Sequence, residues 1–312
     1  PNRKLRPGPS QGKLTTYSKR TLAVTAPSPT NSSDRLRQWI GRTEQRDDAI
    51  TAAPLAGFSA MLNRADGAEP TIDAPLPPLA HWLYFLPQAL QRDIGVDGHP
   101  NRGDFLPAVS LPRRMWAGGR LSFDNVLRVG DTATRLSTIS SVETKEGRSG
   151  SLVFVTVTHE ISHARGIAVH EEHDIVYRDH PNPSTAATTP PRARADEDFS
   201  RLITPDPVLL FRYSALTFNG HRIHYDRDYA TQVEGYPGLV VHGPLIATLL
   251  LDLARREMPN AAIARFDFKA VSPLFDIDSF TVCGKREADG SVALWARNHL
   301  GHLAMTAHAV LA

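Results

Sequence analysis

The apolar run from Leu239 to Leu251 is interrupted at His242-Gly243-Pro244, and this break decides much of what the chain can fold into. Proline suits the first position of a helix, because the N–H it lacks would be unpaired there anyway. From Pro244 onward, Leu245, Ala247, Leu249, Leu250, Leu251 and Leu253 surround most of the helix axis, so the helix must be enclosed by the rest of the chain. Asp252, Arg255, Arg256 and Glu257 are expected to mark the end that emerges, where basic residues suit the negative C-terminal dipole. The run is too short to span a bilayer.

The material around this helix reads as strand. Residues 151–158, rich in β-branched side chains, are the clearest case, and 166–170 and 174–177 continue the pattern. In the second half, strands are expected over 207–214, 264–271, 279–284, 292–298 and 306–311. Sheet around one long apolar helix is an α+β layering. Residues 181–200, with His180-Pro-Asn-Pro and Thr-Thr-Pro-Pro-Arg nearby, read as a linker between segments 34–180 and 201–312, each the size of a small domain. Residues 1–33 hold basic residues, Ser, Thr and Pro and no acid, a composition that cannot build a core. A transit peptide has this composition, which implies a mitochondrial location. So does a plain basic tail on a cytoplasmic protein, and Pro7-Gly8-Pro9 would interrupt an amphipathic helix.

A formal charge of +2 gives no case for nucleic-acid binding, and the single cysteine, Cys283, excludes an internal disulfide. One stretch imitates a metal site: His159-Glu-Ile-Ser-His163 fits the H-E-x-x-H pattern. That pattern needs a helix. On a strand its two histidines would stand about 13 Å apart, so no metal is expected there.

Chemistry concentrates in ten residues that hold Asn219, His221, His224, Asp226 and Asp228. A histidine such as His224 can take a proton from water and return it near neutral pH. Asn219 can position a water or a substrate oxygen, or can simply make a turn before Gly220. A glycine at a helix start, such as Gly243, offers an N–H to developing negative charge and lets a ligand approach closely, although it also serves as an ordinary cap. Arg222 can bind an acidic group or pair with Asp226, and Asp226 and Asp228 are suited to cap the turn at Tyr229.

The combination Asn219-Gly-His-Arg-Ile-His224, followed by Val240-Val-His-Gly-Pro244, resembles the hydratase motif of the MaoC-like dehydratases. Phe211 to Asp226, with HWLYFLP from His81, RRMWAGGRL from Arg113 and EGRSGSLVFVTV from Glu146, resembles the subfamily of mesaconyl- and itaconyl-CoA hydratases and mitochondrial 3-hydroxyacyl-thioester dehydratases. The likeness covers roughly residues 35 to 312. It implies two hotdog folds in one chain, each an antiparallel sheet wrapped round a helix, with the motif in the second. It also implies a hydro-lyase that adds water to 2-enoyl thioesters, with CoA or acyl carrier protein as the substrate's handle and no cofactor or metal. His224 and Asn219 would be catalytic, and Gly243, His221 and Arg222 would contact substrate. Asn219 stands where the family usually has Asp, which moves proton transfer onto His224. A hotdog thioesterase and a non-catalytic acyl-thioester binder are the alternative readings. A homodimer is compatible with the fold, and no membrane or nucleic-acid partner is expected.

Overall fold

The computed structural model describes residues 32–67, 69–147, 150–179 and 189–312. Residues 1–31 of the expected basic N-terminal segment and the first part of the expected linker lie outside these residues, and Ser32 and Ser33 belong to the first helix. In chain order the elements are α1 (Ser32–Arg37), β1 (Thr43–Ala49), α2 (Ala52–Met61), β2 (Arg113–Phe123), β3 (Thr132–Gly147), β4 (Gly150–His163) and β5 (Gly166–Arg178). They continue with β6 (Phe199–Ile203), α3 (Pro207–Leu216), α4 (Gly243–Glu257), β7 (Ile263–Ala270), β8 (Phe280–Arg286), β9 (Val292–Asn298) and β10 (Leu303–Leu311).

The strands form one sheet in the order β1-β3-β4-β5-β2-β7-β10-β9-β8-β6, and every pairing is antiparallel. Its two halves are the two expected hotdog units, joined edge to edge where β2 meets β7. Helix α4 is the enclosed one. All residues from Leu245 to Ala254 are buried, and the helix packs against strands β6, β8, β9 and β10 of its own half and against β2 of the other. A fully buried Leu contributes about 1.5–3 kcal/mol, so this helix anchors the second half.

Two expectations are corrected. Asp252 does not mark an emerging end: it is 2% exposed. Arg64 Nη1, Arg256 Nε and Arg201 Nη1 donate to its carboxylate at 2.9, 2.7 and 3.2 Å. A buried carboxylate is tolerated when charge and hydrogen bonds compensate it, and here the arginines come from α4 itself, β6 and the loop after α2. Residues 207–214 form a helix rather than a strand. Asp206 caps it, accepting from Leu209 N at 2.7 Å, and Pro207 opens its first turn. Local capping chemistry outweighs the apolar run at Val208-Leu-Leu-Phe.

The seam between the halves depends on Gly118 and Gly119. They pair with Lys269 and Phe268 of β7, and a Cβ on Gly118 would lie 2.6 Å from the Phe268 carbonyl oxygen. The neighbour is backbone and cannot rotate away. Gly118→Ala is therefore expected to cost about 2 kcal/mol, a fall of roughly 4–8 °C in Tm by thermal denaturation. An unchanged Tm would show that the seam yields.

Candidate active site

The motif loop begins where α3 ends. Phe218 takes a left-handed turn (φ 48°), and the Asn219 N–H donates to Ser214 O at 2.8 Å. Asn219 Oδ1 then accepts from His221 N at 3.0 Å, so the amide closes its own turn and leaves its NH2 group to donate elsewhere. One 3-10 turn later comes His224, 6% exposed.

Two hydrogen bonds lock His224 to the segment before α4. Val240 N donates to Ile223 O at 3.0 Å, and His224 Nδ1 donates to Val240 O at 2.7 Å. A carbonyl can only accept, so the bond assigns the hydrogen to Nδ1 and leaves Nε2 with its lone pair. The His242 ring stacks on His224 at 3.6 Å and 19°. His242 is fully buried, and its Nε2 lies 2.8 Å from Ser214 Oγ. Burial pushes the His224 pKa down to about 4 despite the raising effect of Val240, and the neighbouring His99 lowers it further. His224 is thus a neutral imidazole, fixed in plane and tautomer and able to accept a proton at Nε2.

Gly243 opens α4 directly after His242. Helix geometry leaves its N–H without an intrahelical partner. A Cβ there would meet nothing nearer than Trp116 O at 3.9 Å, so the space above the glycine is open to a ligand. A cavity of about 780 Å³ lies between the two halves, lined by Asn219, Ser214 and Pro244 from one and by Trp82, Trp116, Glu171 and His173 from the other. His224 and Gly243 are chain neighbours of the lining residues Tyr225 and Pro244.

The remaining motif residues divide. His221 belongs to the cluster, its ring 5.3 Å from His224 and 4.1 Å from His99. Arg222 is turned to the ion pair that the sequence left open. Its Nη2 lies 2.7 Å from Asp226 Oδ2, its Nη1 donates to Val96 O, and its guanidinium lies over the Tyr229 ring. Asp226 caps the following turn, accepting from Tyr229 N at 3.0 Å.

No local sequence pattern marks the loop that completes this site. Gly98 (φ +88°) lies so close to Gly220 that a Cβ would fall 1.8 Å from the Gly220 carbonyl oxygen. Asp97 O accepts from Arg222 N at 2.9 Å. Backbone contact of this kind brings His99, with Nδ1 3.2 Å from Asp97 Oδ2, onto His221. Asp97, His99 and His221 are the group among the described residues with metal-ligand spacing, their ligand atoms lying within 4.8 Å of one another. Asp97 and His99 already satisfy each other there. The H-E-x-x-H stretch lies on β4, as its strand context implied; His159 bonds to Ser137 Oγ through Nδ1 at 2.8 Å, inside the sheet.

Two measurements check this geometry. Gly98→Ala strains the backbone and also displaces the motif loop, so kcat/KM should fall by about 10- to 100-fold; unchanged kinetics would separate this loop from the site. Burial holds His99, His159, His173 and His224 at about 4, 3, 4 and 4, against an ordinary 6.5. The unfolded chain then binds more protons than the folded one between those values. Stability should be complete above about pH 6.5 and decline as pH falls toward 4. A Tm that stays flat from pH 7 to pH 5 would contradict it.

Known proteins resemble this chain in sequence and in fold. The family model for hydroxyacyl-thioester dehydratase type 2 matches residues 79–276. The chain is 48% identical over 273 residues to mesaconyl-C(4)-CoA hydratase of Chloroflexus aurantiacus, covering 84% of this chain and 97% of that protein. It is 28% identical over 268 residues to the mitochondrial hydroxyacyl-thioester dehydratase type 2 of Schizosaccharomyces pombe, covering 76% and 88%. The crystal structure of a MaoC-like dehydratase from Phytophthora capsici superposes with a TM-score of 0.66 at 14% identity, over 89% of this chain and 98% of that one. The family-model match over more than half of the chain and the 48% identity over most of its length place this protein in the hydroxyacyl-thioester dehydratase type 2 family, the hydro-lyases of acyl thioesters.

Proposed function

We propose that the protein reversibly hydrates the double bond of a five-carbon dicarboxyl-CoA of the mesaconyl type, with His224 as the acid/base group. The observation that carries the chemistry is the Nδ1–H···O=C bond from His224 to Val240, which leaves Nε2 with its lone pair on a ring stacked against His242, the residue before α4. Nε2 takes a proton from water as the water oxygen bonds to the β-carbon. The electron pair of the double bond moves toward the thioester carbonyl, whose oxygen gains negative charge. The Gly243 N–H, at the positive end of α4, stabilises that charge. His224 then delivers its proton to the α-carbon, and the neutral imidazole is restored. Asn219 cannot serve as a base, so its NH2 group orients the water or a substrate oxygen. Dehydration is the same path reversed.

The choice of substrate is supported by the similarity to a mesaconyl-C(4)-CoA hydratase. The similarity to a mitochondrial dehydratase supports a second reading, a 3-hydroxyacyl thioester of fatty-acid synthesis carried on CoA or acyl carrier protein. A thioesterase is less well supported, because Asp226, the carboxylate it would draw on, is committed to Arg222 and Tyr229.

Loss of the enoyl-thioester absorbance with mesaconyl-C4-CoA and with crotonyl-CoA tests the reading. His224→Ala should lower kcat by about 10³-fold while leaving the fold intact. Free thiol release without hydration would favour the thioesterase, and turnover unaffected in the variant would remove His224 from the mechanism.

A further inference from the structure

The inner face of the first hotdog is apolar at both ends and polar in the middle. At one end Ala133, Ile161 and Val169 share a core with Leu55 and Phe58 of α2; at the other Ile139, Val157, Ile175 and Tyr177 pack with Trp39, Phe105 and Leu106. Between them the cavity meets Arg135, His159, Glu171, His173 and Arg114. Polar groups on an inner sheet face need partners. Glu171 has His81 Nε2 at 3.0 Å and Trp82 Nε1 at 3.1 Å. His159 has Ser137, and the His173 ring stacks on Trp116 at 3.8 Å.

Arg114 and Arg135 differ. Among the described residues no carboxylate lies within ion-pair distance of either; Arg135 lies over the Phe85 ring, and the polar neighbour of Arg114 is the phenol of Tyr177. Burial is the main influence on the Arg114 guanidinium and works against its charge, which Tyr177 and the Asp97 carboxylate favour. The preceding residue shows what a structural arginine does here: Arg113 Nε lies 2.8 Å from Glu234 Oε2 and its guanidinium sits over Tyr236. Arg114, on the opposite face of β2, lines the cavity instead.

Its position is informative. The positive charge of Arg114 is felt at His99 and at His221, whose ring lies 5.3 Å from that of His224. In a mesaconyl-C4 thioester the free carboxylate sits on the same carbon that accepts water. A group that recognises this carboxylate must therefore stand beside the water-activating histidine. The CoA phosphates are held far from the reacting carbons by the pantetheine arm, so they cannot be what Arg114 meets. We infer that Arg114 is a specificity-determining residue that binds the free carboxylate of a dicarboxyl acyl group through its planar guanidinium. The inference rests on the dicarboxyl-CoA reading above.

The test uses the full chain and Arg114→Gln, with Arg114→Lys as the charge-retaining control, each checked for an unchanged Tm. Calorimetric titration with succinyl-CoA and butyryl-CoA compares a carboxylate with a methyl group at one position, and needs no turnover. Wild type should prefer succinyl-CoA, and Arg114→Gln should reduce that preference by about 10- to 100-fold, with partial recovery in Arg114→Lys. The ratio of kcat/KM for mesaconyl-C4-CoA over crotonyl-CoA should shift by the same factor. A preference that survives Arg114→Gln, or wild type with none, overturns the inference. Hydration of crotonyl-CoA alone would overturn it while leaving the hydratase intact, and hydration of neither substrate would count against the reading of the site itself.

Discussion

The site hangs on a reciprocal pair of hydrogen bonds between residues 223–224 and Val240. Val240 donates its N–H to Ile223 and accepts the Nδ1–H of His224. The pair ties the motif loop to the strand-like segment that leads into α4, and Val240 is itself bridged to Phe275. Because α4 is enclosed over its whole middle, this segment cannot drift, and the imidazole inherits its position from the most buried element of the second half. The stacked His242, held by Ser214, backs the ring. One interaction thus sets the tautomer, the plane and the distance from the helix N-terminus, and each of these is needed for proton transfer next to a developing oxyanion.

The first hotdog has no copy of the motif, yet the site is incomplete without it. Its loop at Asp97-Gly98-His99 packs backbone to backbone on Gly220, and its inner sheet face supplies the far wall of the cavity. Two close approaches of main chain make this union, Gly98 on Gly220 and Gly118 on Phe268, and neither has room for a side chain. The division of labour is physical. The second half fixes the candidate reacting groups beside a buried helix, and the first half offers a sheet whose middle is polar where it faces the cavity.

Much of this was legible in the sequence. The helix from Pro244 is apolar all round, and the strands β4 and β7–β10 are β-branched or alternate, so periodicity alone located them. The cap at Asp226 followed from local chemistry. Other features are tertiary, and no local pattern carries them. Asp252 looked like an emerging end because its three arginine partners come from places 51 and 188 residues away as well as from its own helix turn. The α3 segment resembles a strand in its apolar run, and the signal that overrides the run is the Asp206-Pro207 start. Gly118-Gly119 carries no local sign of its role, since the β7 backbone against it is a long-range partner. Asn219 was legible as a departure from the usual carboxylate, but the Asp97–His99 pair that reaches the same cluster from the first half was not.

Proton transfer from water to His224 requires a neutral imidazole with its hydrogen on Nδ1 at working pH. Nitrogen NMR of histidine-labelled protein, with His224 assigned by substitution, reads both properties at once. Between pH 6 and 8 it should show one protonated and one unprotonated ring nitrogen for His224, with Nδ1 as the protonated one. An imidazolium in that range, or a hydrogen on Nε2, would mean that the ring cannot take a proton from water as described, and the mechanism built on it would fall.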